Sequence, residues 1–270
     1  MRHPRTGIAL LLVTAAGAAA VHAQAPETSA QRASFEVAAI RSNRSAGVAT
    51  TLRLDPGGRL HVVGAPLPWL IAAAYGDVLG GLRPEQVVGI PNSLQSERYD
   101  ITAKMAAADA SDTAPTFIAM RPFVQALLED RFGLRTHRER RELPIYALVR
   151  SSRDGRLGPG LSRSTIDCSK EQTKCGFKGG PVGRILAEAL TSDLLLQLLA
   201  NASGRIVVDR TGLEGPFAID LEWSPDQTQP ASDKPSIFTA VQEQLGLKLE
   251  ATRGPVDVLV IDHVERPSLD

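Results

Sequence analysis

Phe132-Gly133-Leu134-Arg135, followed by Pro144-Ile145-Tyr146-Ala147-Leu148-Val149, recurs as Leu245-Gly246-Leu247-Lys248 followed by Pro255-Val256-Asp257-Val258-Leu259-Val260. A helical run precedes each block, Phe123-Val124-Gln125-Ala126-Leu127-Leu128 in one and Phe238-Thr239-Ala240-Val241-Gln242 in the other. Glycine just past an apolar helical run is a left-handed C-terminal cap. Each block therefore reads as helix, cap and two strands, Leu134 to Arg138 with Ile145 to Val149 and Leu247 to Ala251 with Val256 to Asp262, paired as hairpins. The chain reads as one small fold written twice.

Working outward, Phe35 to Ile40 suits a strand, Gly57-Gly58 a turn into a strand from Arg59 to Val63, and Pro66 and Pro68 the first turn of a helix. That helix buries Leu70, Ile71, Ala74 and Tyr75. Val87-Val88-Gly89 is a short strand, and Arg98 to Lys104 alternates with period two, as a strand with one wet face does. In the second copy Arg184 to Glu188 is a strand. Thr191-Ser192-Asp193 can cap a helix carrying Leu194, Leu195, Leu198 and Leu199. Ile206 to Asp209 and Pro216 to Trp223 are strands, the latter with Phe217, Ile219, Leu221 and Trp223 inward and Ala218, Asp220 and Glu222 outward. Ser236 caps the last helix. The expected architecture is α+β: two tandem related modules, each a small mixed sheet with two helices on one face, in the order strand-helix-strand-strand-helix-strand-strand. The modules span 34–152 and 184–267, joined by a Gly-rich linker at 153–183, with polar insertions at Met105 to Ala114 and Ser224 to Lys234.

Residues 1–23 read as a signal peptide, with Arg2 and Arg5 before an apolar run from Ile8 to Ala20 and a small-x-small site at Val21-His22-Ala23. A polar leader follows at 24–33. The apolar run of about 13 residues is short for a membrane span and no later segment reaches the roughly 20 needed, so no span is expected after signal removal. Losing two arginines takes the 30 basic residues against 30 acidic ones to about −2. A near-neutral chain is a poor general nucleic-acid binder, because that affinity rests on cations neutralising phosphates. Cys168 and Cys175, the only cysteines, read as a local disulfide stabilising an exported chain by roughly 2–3 kcal/mol.

The chemistry-bearing motifs are mostly missing. There is no G-x-S-x-G elbow and no H-E-x-x-H helix, and Asn201-Ala202-Ser203-Gly204 reads as a helix end. His61, His137 and His263 lack zinc spacing, and Gly179-Gly180-Pro181-Val182-Gly183 lacks the lysine of a phosphate loop. Trp69 and Trp223 read as core residues. No catalytic, cofactor or metal residues are assigned. The basic stretch Arg135, His137, Arg138, Arg140 and Arg141 is the candidate anion- or partner-binding surface, since guanidinium forks grip carboxylates and phosphates.

The succession Phe35-Glu36-Val37-Ala38, Val87-Val88-Gly89-Ile90-Pro91, Ser96-Glu97-Arg98-Tyr99-Asp100-Ile101, Leu127 to Phe132, Val208-Asp209-Arg210-Thr211-Gly212-Leu213 and Val260 to Pro267 resembles the soil-associated protein family of unknown function, expanded in soil bacteria. The resemblance covers nearly all of 34–267 and implies no catalytic residues. Each half is also similar in element order to the short N-terminal domains of secretins and TonB-dependent receptors, which are periplasmic interaction modules. The expectation is an exported, periplasmic or extracellular, non-enzymatic protein without cofactor that binds an envelope protein or an anionic envelope component. The alternative is a hydrolase of an envelope polymer using Asp100, Asp220 or Glu222 in a cleft between the modules.

Overall fold

The computed structural model describes residues 33–268 except 46, 77–81, 107–110, 153, 178 and 226–233. The expected signal peptide, the leader as far as residue 32 and the centres of both polar insertions lie outside the described residues. The described residues from Ala33 onward cluster as one compact unit.

The first sheet is antiparallel and built from β1 (Phe35–Asn43), β2 (Thr51–Asp55), β3 (Arg59–Pro66) and β5 (Arg98–Met105), in the order β1-β5-β3-β2. Gly57 and Gly58 take positive φ of 76° and 65° in the β2–β3 turn, a conformation costly for residues with a Cβ. Helix α1 (Leu67–Tyr75) buries Leu70, Ile71 and Ala74 against this sheet. After β4 (Val87–Val88) and the short α2 (Asn92–Gln95), the longer α3 (Phe117–Phe132) is capped by the Thr116 hydroxyl at one end and by Gly133, at φ 58°, at the other.

The two expected hairpins are instead two unbroken strands, β6 (Arg135–Arg150) and β11 (Leu247–His263), which pair antiparallel with each other from end to end. The reason is local. Glu139-Arg140-Arg141-Glu142 offers no residue suited to positive φ, which tight hairpin turns demand. Gly254 serves packing rather than turning: a Cβ there would lie 2.7 Å from the Ile145 side chain. Pro144 fits within β6 because Tyr146 directs its amide to the Ile206 carbonyl, 2.8 Å away. By alternation the nitrogen of Pro144 points to that same side, past the end of the neighbouring strand, where no ladder bond is lost.

β4 joins β11 in parallel, and β9 (Val207–Asp209) joins β6 in parallel, giving the order β4-β11-β6-β9. The expectation of one sheet per module is thereby corrected, because this central sheet draws strands from both halves. A third sheet, β7 (Leu161–Arg163), β10 (Phe217–Glu222) and β8 (Arg184–Leu190), runs in the order β7-β10-β8 with α4 (Ser192–Ser203) and α5 (Ile237–Leu245) beside it. β10 pairs with β8 as β5 pairs with β3, and β7 lies on β10 as β1 lies on β5. The class is α+β, as the sequence indicates.

One large core joins the first sheet, α1 and α3 to Leu259 and Ile261 of β11. A second joins the third sheet, α4 and α5 to Leu148, Leu247 and Leu249. The Gly-rich segment is built into this second core. Gly158 and Gly160 donate to the carbonyls of Leu245 and Gln244 at 2.9 and 2.7 Å, and Leu161 is 4% exposed.

Candidate functional site

Strand β10 alternates as its sequence predicts. Phe217, Ile219 and Leu221 are buried, at most 2% exposed, while Ala218, Asp220 and Glu222 turn outward. Pairing carries the outward face sideways, Ser162 lying opposite Ala218 and Leu186 opposite Asp220. Among the described residues no α-helix contributes to the hollow over this face. The disulfide loop borders it instead: Cys168 and Cys175 are bonded with Cα atoms 5.8 Å apart, Cys175 bridges to Ala189, and Gly176 donates to the Ala189 carbonyl at 2.8 Å. The result is a groove of about 460 Å³, floored by Ala218, Asp220, Leu186 and Ser162 and walled by Pro159–Gly160 on one side and Lys174 and Gly176 on the other. That lies within the roughly 300–1,000 Å³ of small-ligand sites.

The walls are fixed by backbone. A Cβ on Gly160 would lie 2.3 Å from the Asp220 carbonyl oxygen, so this close approach requires glycine. The groove's charges are largely matched. Arg184 grips Asp220 through both carboxylate oxygens at 3.1–3.2 Å, and Lys174 meets Glu171 at 2.5 Å, a hydrogen bond that raises the ammonium pKa. Glu188, in the lining, makes no hydrogen bond or ion pair among the described residues.

The three acids proposed for hydrolysis do not share a site. Asp100 belongs to the first sheet, where it accepts from Asn43 Nδ2 and the Gly64 amide, both at 2.8 Å. Asp220 is held by Arg184. Glu222 is paired with Lys234 at 2.8 Å, which lowers its pKa through that hydrogen bond and the lysine charge. Among the described residues no group of histidines, cysteines and acids is placed to hold a metal ion.

The basic stretch lies on β6, and strand alternation divides it. Arg135, His137 and Arg141 share one face with Glu139, while Arg138 and Arg140 occupy the other. His137 Nδ1 bonds Asp262 at 2.9 Å, which raises the imidazole pKa, and Arg141 bonds Glu139 at 2.5 Å, which lowers that carboxyl's pKa. On the opposite face Arg138 donates to the Tyr75 carbonyl at 2.8 Å and Arg140 meets Asp257 at 3.3 Å. Arg135 is exposed opposite His263. The five residues do not converge on one ligand position.

Several sequence blocks turn out to be fastenings. Tyr99, 1% exposed, donates to Glu97 at 2.6 Å, and Arg266 of the C-terminal tail reaches the same carboxylate at 2.7 Å. Arg98 donates to the Gly64 carbonyl at 2.6 Å, so Arg98 and Asp100 together clamp a left-handed glycine in β3. Gly89 lets β4 pass β11, where a Cβ would meet the Ile261 carbonyl at 2.7 Å. The Asp209 carboxylate caps the turn at Thr211. Of the two tryptophans, Trp223 is 8% exposed, whereas Trp69, also expected in the core, is 38% exposed.

The groove residues Ser162, Lys174, Gly176, Leu186 and Glu188 were not singled out from sequence. One signal was present, since Leu186 is an apolar residue at an outward strand position, where it is 58% exposed.

A family model described as Protein of unknown function (DUF3738) matches residues 68–264. No curated protein and no solved structure matches the chain.

Proposed function

The chain belongs to this DUF3738 family of unknown function, and we propose that it is an exported, non-enzymatic binding protein that recognises an envelope component in the groove on the outer face of β7-β10-β8. One observation carries the reading. A disulfide-closed loop borders an outward sheet face, and apolar and charged groups line the hollow they share. The disulfide suits an oxidising compartment, no helix among the described residues is long and apolar enough to cross a membrane, and residues 1–23 have the pattern of a signal peptide. The halves 34–152 and 184–267 are read as related modules, a reading supported by the shared succession β3-α1-β4-β5-α3-β6 and β8-α4-β9-β10-α5-β11, apart from the short α2. The groove read as the recognition site is lined in part by the segment 153–183 that joins them, through Pro159, Gly160, Ser162, Lys174 and Gly176.

The test compares the immobilised chain from Gln24 onward with an Ala218→Trp variant, which fills the groove floor from an outward position. Envelope extract and purified cell-wall fragments are passed over both. A component retained by the parent and lost by the variant is the expected result. Equal retention would remove the groove from the account, and fragments leaving the column cleaved would overturn the non-enzymatic reading.

A further inference from the structure

The groove's ligand can be specified further from its charges, on the premise that the groove is the recognition site. Two of the three charged groups in its lining are matched by the protein itself, Asp220 by Arg184 and Lys174 by Glu171. Glu188 makes no hydrogen bond or ion pair among the described residues; Lys174 acts on it only at longer range and is already bonded to Glu171, so Asp220, Glu171 and Glu188 against Arg184 and Lys174 leave one negative charge over. Besides Lys174, Asp220 and Ser162, the rest of the lining is apolar or bare backbone, from Leu186, Ala187, Ala218, Pro159, Gly160 and Gly176. The floor crosses three adjacent strands, a width of about 10 Å at the usual strand spacing, which accommodates about three residues of extended chain. Leu186, in the lining, is 58% exposed, a large apolar offering in the hollow.

We infer that the groove receives an extended segment of a partner protein that places a lysine or arginine against Glu188, flanked by small apolar side chains over Leu186 and Ala218. Charge complementarity selects the cation. A carboxylate partner would meet Glu188 and Asp220 without a free cation to answer it. The apolar floor selects the flanking residues, because burying Leu186 removes exposed hydrocarbon from water. The span across three strands favours a chain segment over an isolated amine.

The test pans a display library of random nonapeptides on the whole chain from Gln24 and, in parallel, on Glu188→Lys and Ala218→Trp, with thermal unfolding confirming that both outward substitutions leave the fold intact. The parent should enrich peptides with a basic residue between small apolar ones. Glu188→Lys should enrich an acidic residue at that position and bind the parent's peptides about 2- to 5-fold more weakly, the range of an exposed ion pair. Ala218→Trp should enrich neither set. Peptides without a basic residue, or peptides indifferent to Glu188→Lys yet lost in Ala218→Trp, overturn the cation while leaving the groove in place. The same peptides enriched on Ala218→Trp remove the groove itself. No enrichment on the parent, or displacement of the selected peptides by n-butylamine at the peptide's own concentration, overturns the segment.

Discussion

Gly158→Ala should destabilise the protein far more than a surface loop substitution does. At Gly158 an added Cβ would lie 2.3 Å from the Gln244 carbonyl oxygen, 2.5 Å from its carbon and 2.7 Å from the Gly246 nitrogen, all backbone atoms at the end of α5. None of these can swing aside as a side-chain tip could, so the segment must lift. Lifting it breaks the bonds from the Gly158 and Gly160 amides to Leu245 and Gln244, each worth about 1 kcal/mol net. It also draws Leu161 partly out of the second core, at a cost of about 1–2 kcal/mol. The sum is about 3–4 kcal/mol, or a fall in Tm of about 10 °C for a protein of this size. Gly180→Ala is the internal control, since its Cβ would make only an ordinary contact at 3.9 Å with the Arg184 oxygen; it should be neutral or slightly stabilising. Urea unfolding of parent and both variants measures the difference. If Gly158→Ala lies within about 0.5 kcal/mol of the parent, the range of a mutation away from such features, the segment is a loose tether. The groove would then have no fixed wall at Pro159–Gly160.

Tyr99→Phe deletes the hydrogen bond to Glu97 while leaving the buried ring, which packs edge-on against Phe132; a loss of about 1–2 kcal/mol in urea unfolding is expected. Replacing Cys168 and Cys175 by Ser should cost about 2–3 kcal/mol by the same measurement, and should also weaken retention in the groove, because that loop forms one wall. The Asp262 hydrogen bond holds the His137 pKa above its ordinary 6.5, so an NMR titration should show it above that value in the parent and closer to it in Asp262→Asn. A raised histidine pKa contributes stability that is fully present below the unfolded value and is lost as pH rises through the folded one. The stability difference between parent and Asp262→Asn should therefore shrink from mildly acidic to alkaline pH, and a difference that grows with pH would contradict the contact.

Local signals were legible wherever one residue type answers one local need. Gly133, Gly204 and Gly246 all stop helices in the left-handed conformation, and Thr191 and Ser236 cap helices with their hydroxyls. The alternation of Arg98 to Lys104 and of Phe217 to Trp223 correctly sorted inward from outward residues. The disulfide followed from two cysteines at short range. Long-range pairing was not legible. Nothing in Val87-Val88 specifies that it lies beside Leu259-Val260 rather than beside a strand of its own half, because parallel pairing leaves no local turn to read. The charged stretch from Glu139 to Glu142 reads locally as a hairpin turn, yet a long exposed strand tolerates charges on either face. Reading it as one surface then merged residues that alternate across two. The groove escaped for a related reason, since Ser162, Lys174, Leu186 and Asp220 meet only once three strands and a loop are assembled.

The most direct test of the groove as the recognition site is amide NMR mapping of the whole chain from Gln24 as the envelope component retained by the immobilised protein is added. The account predicts shifts centred on Ser162, Lys174, Gly176, Leu186, Glu188 and Asp220, the residues lining the hollow. Shifts centred instead on Arg135, His137, Arg138, Arg140 and Arg141, with the groove amides unmoved, would contradict it.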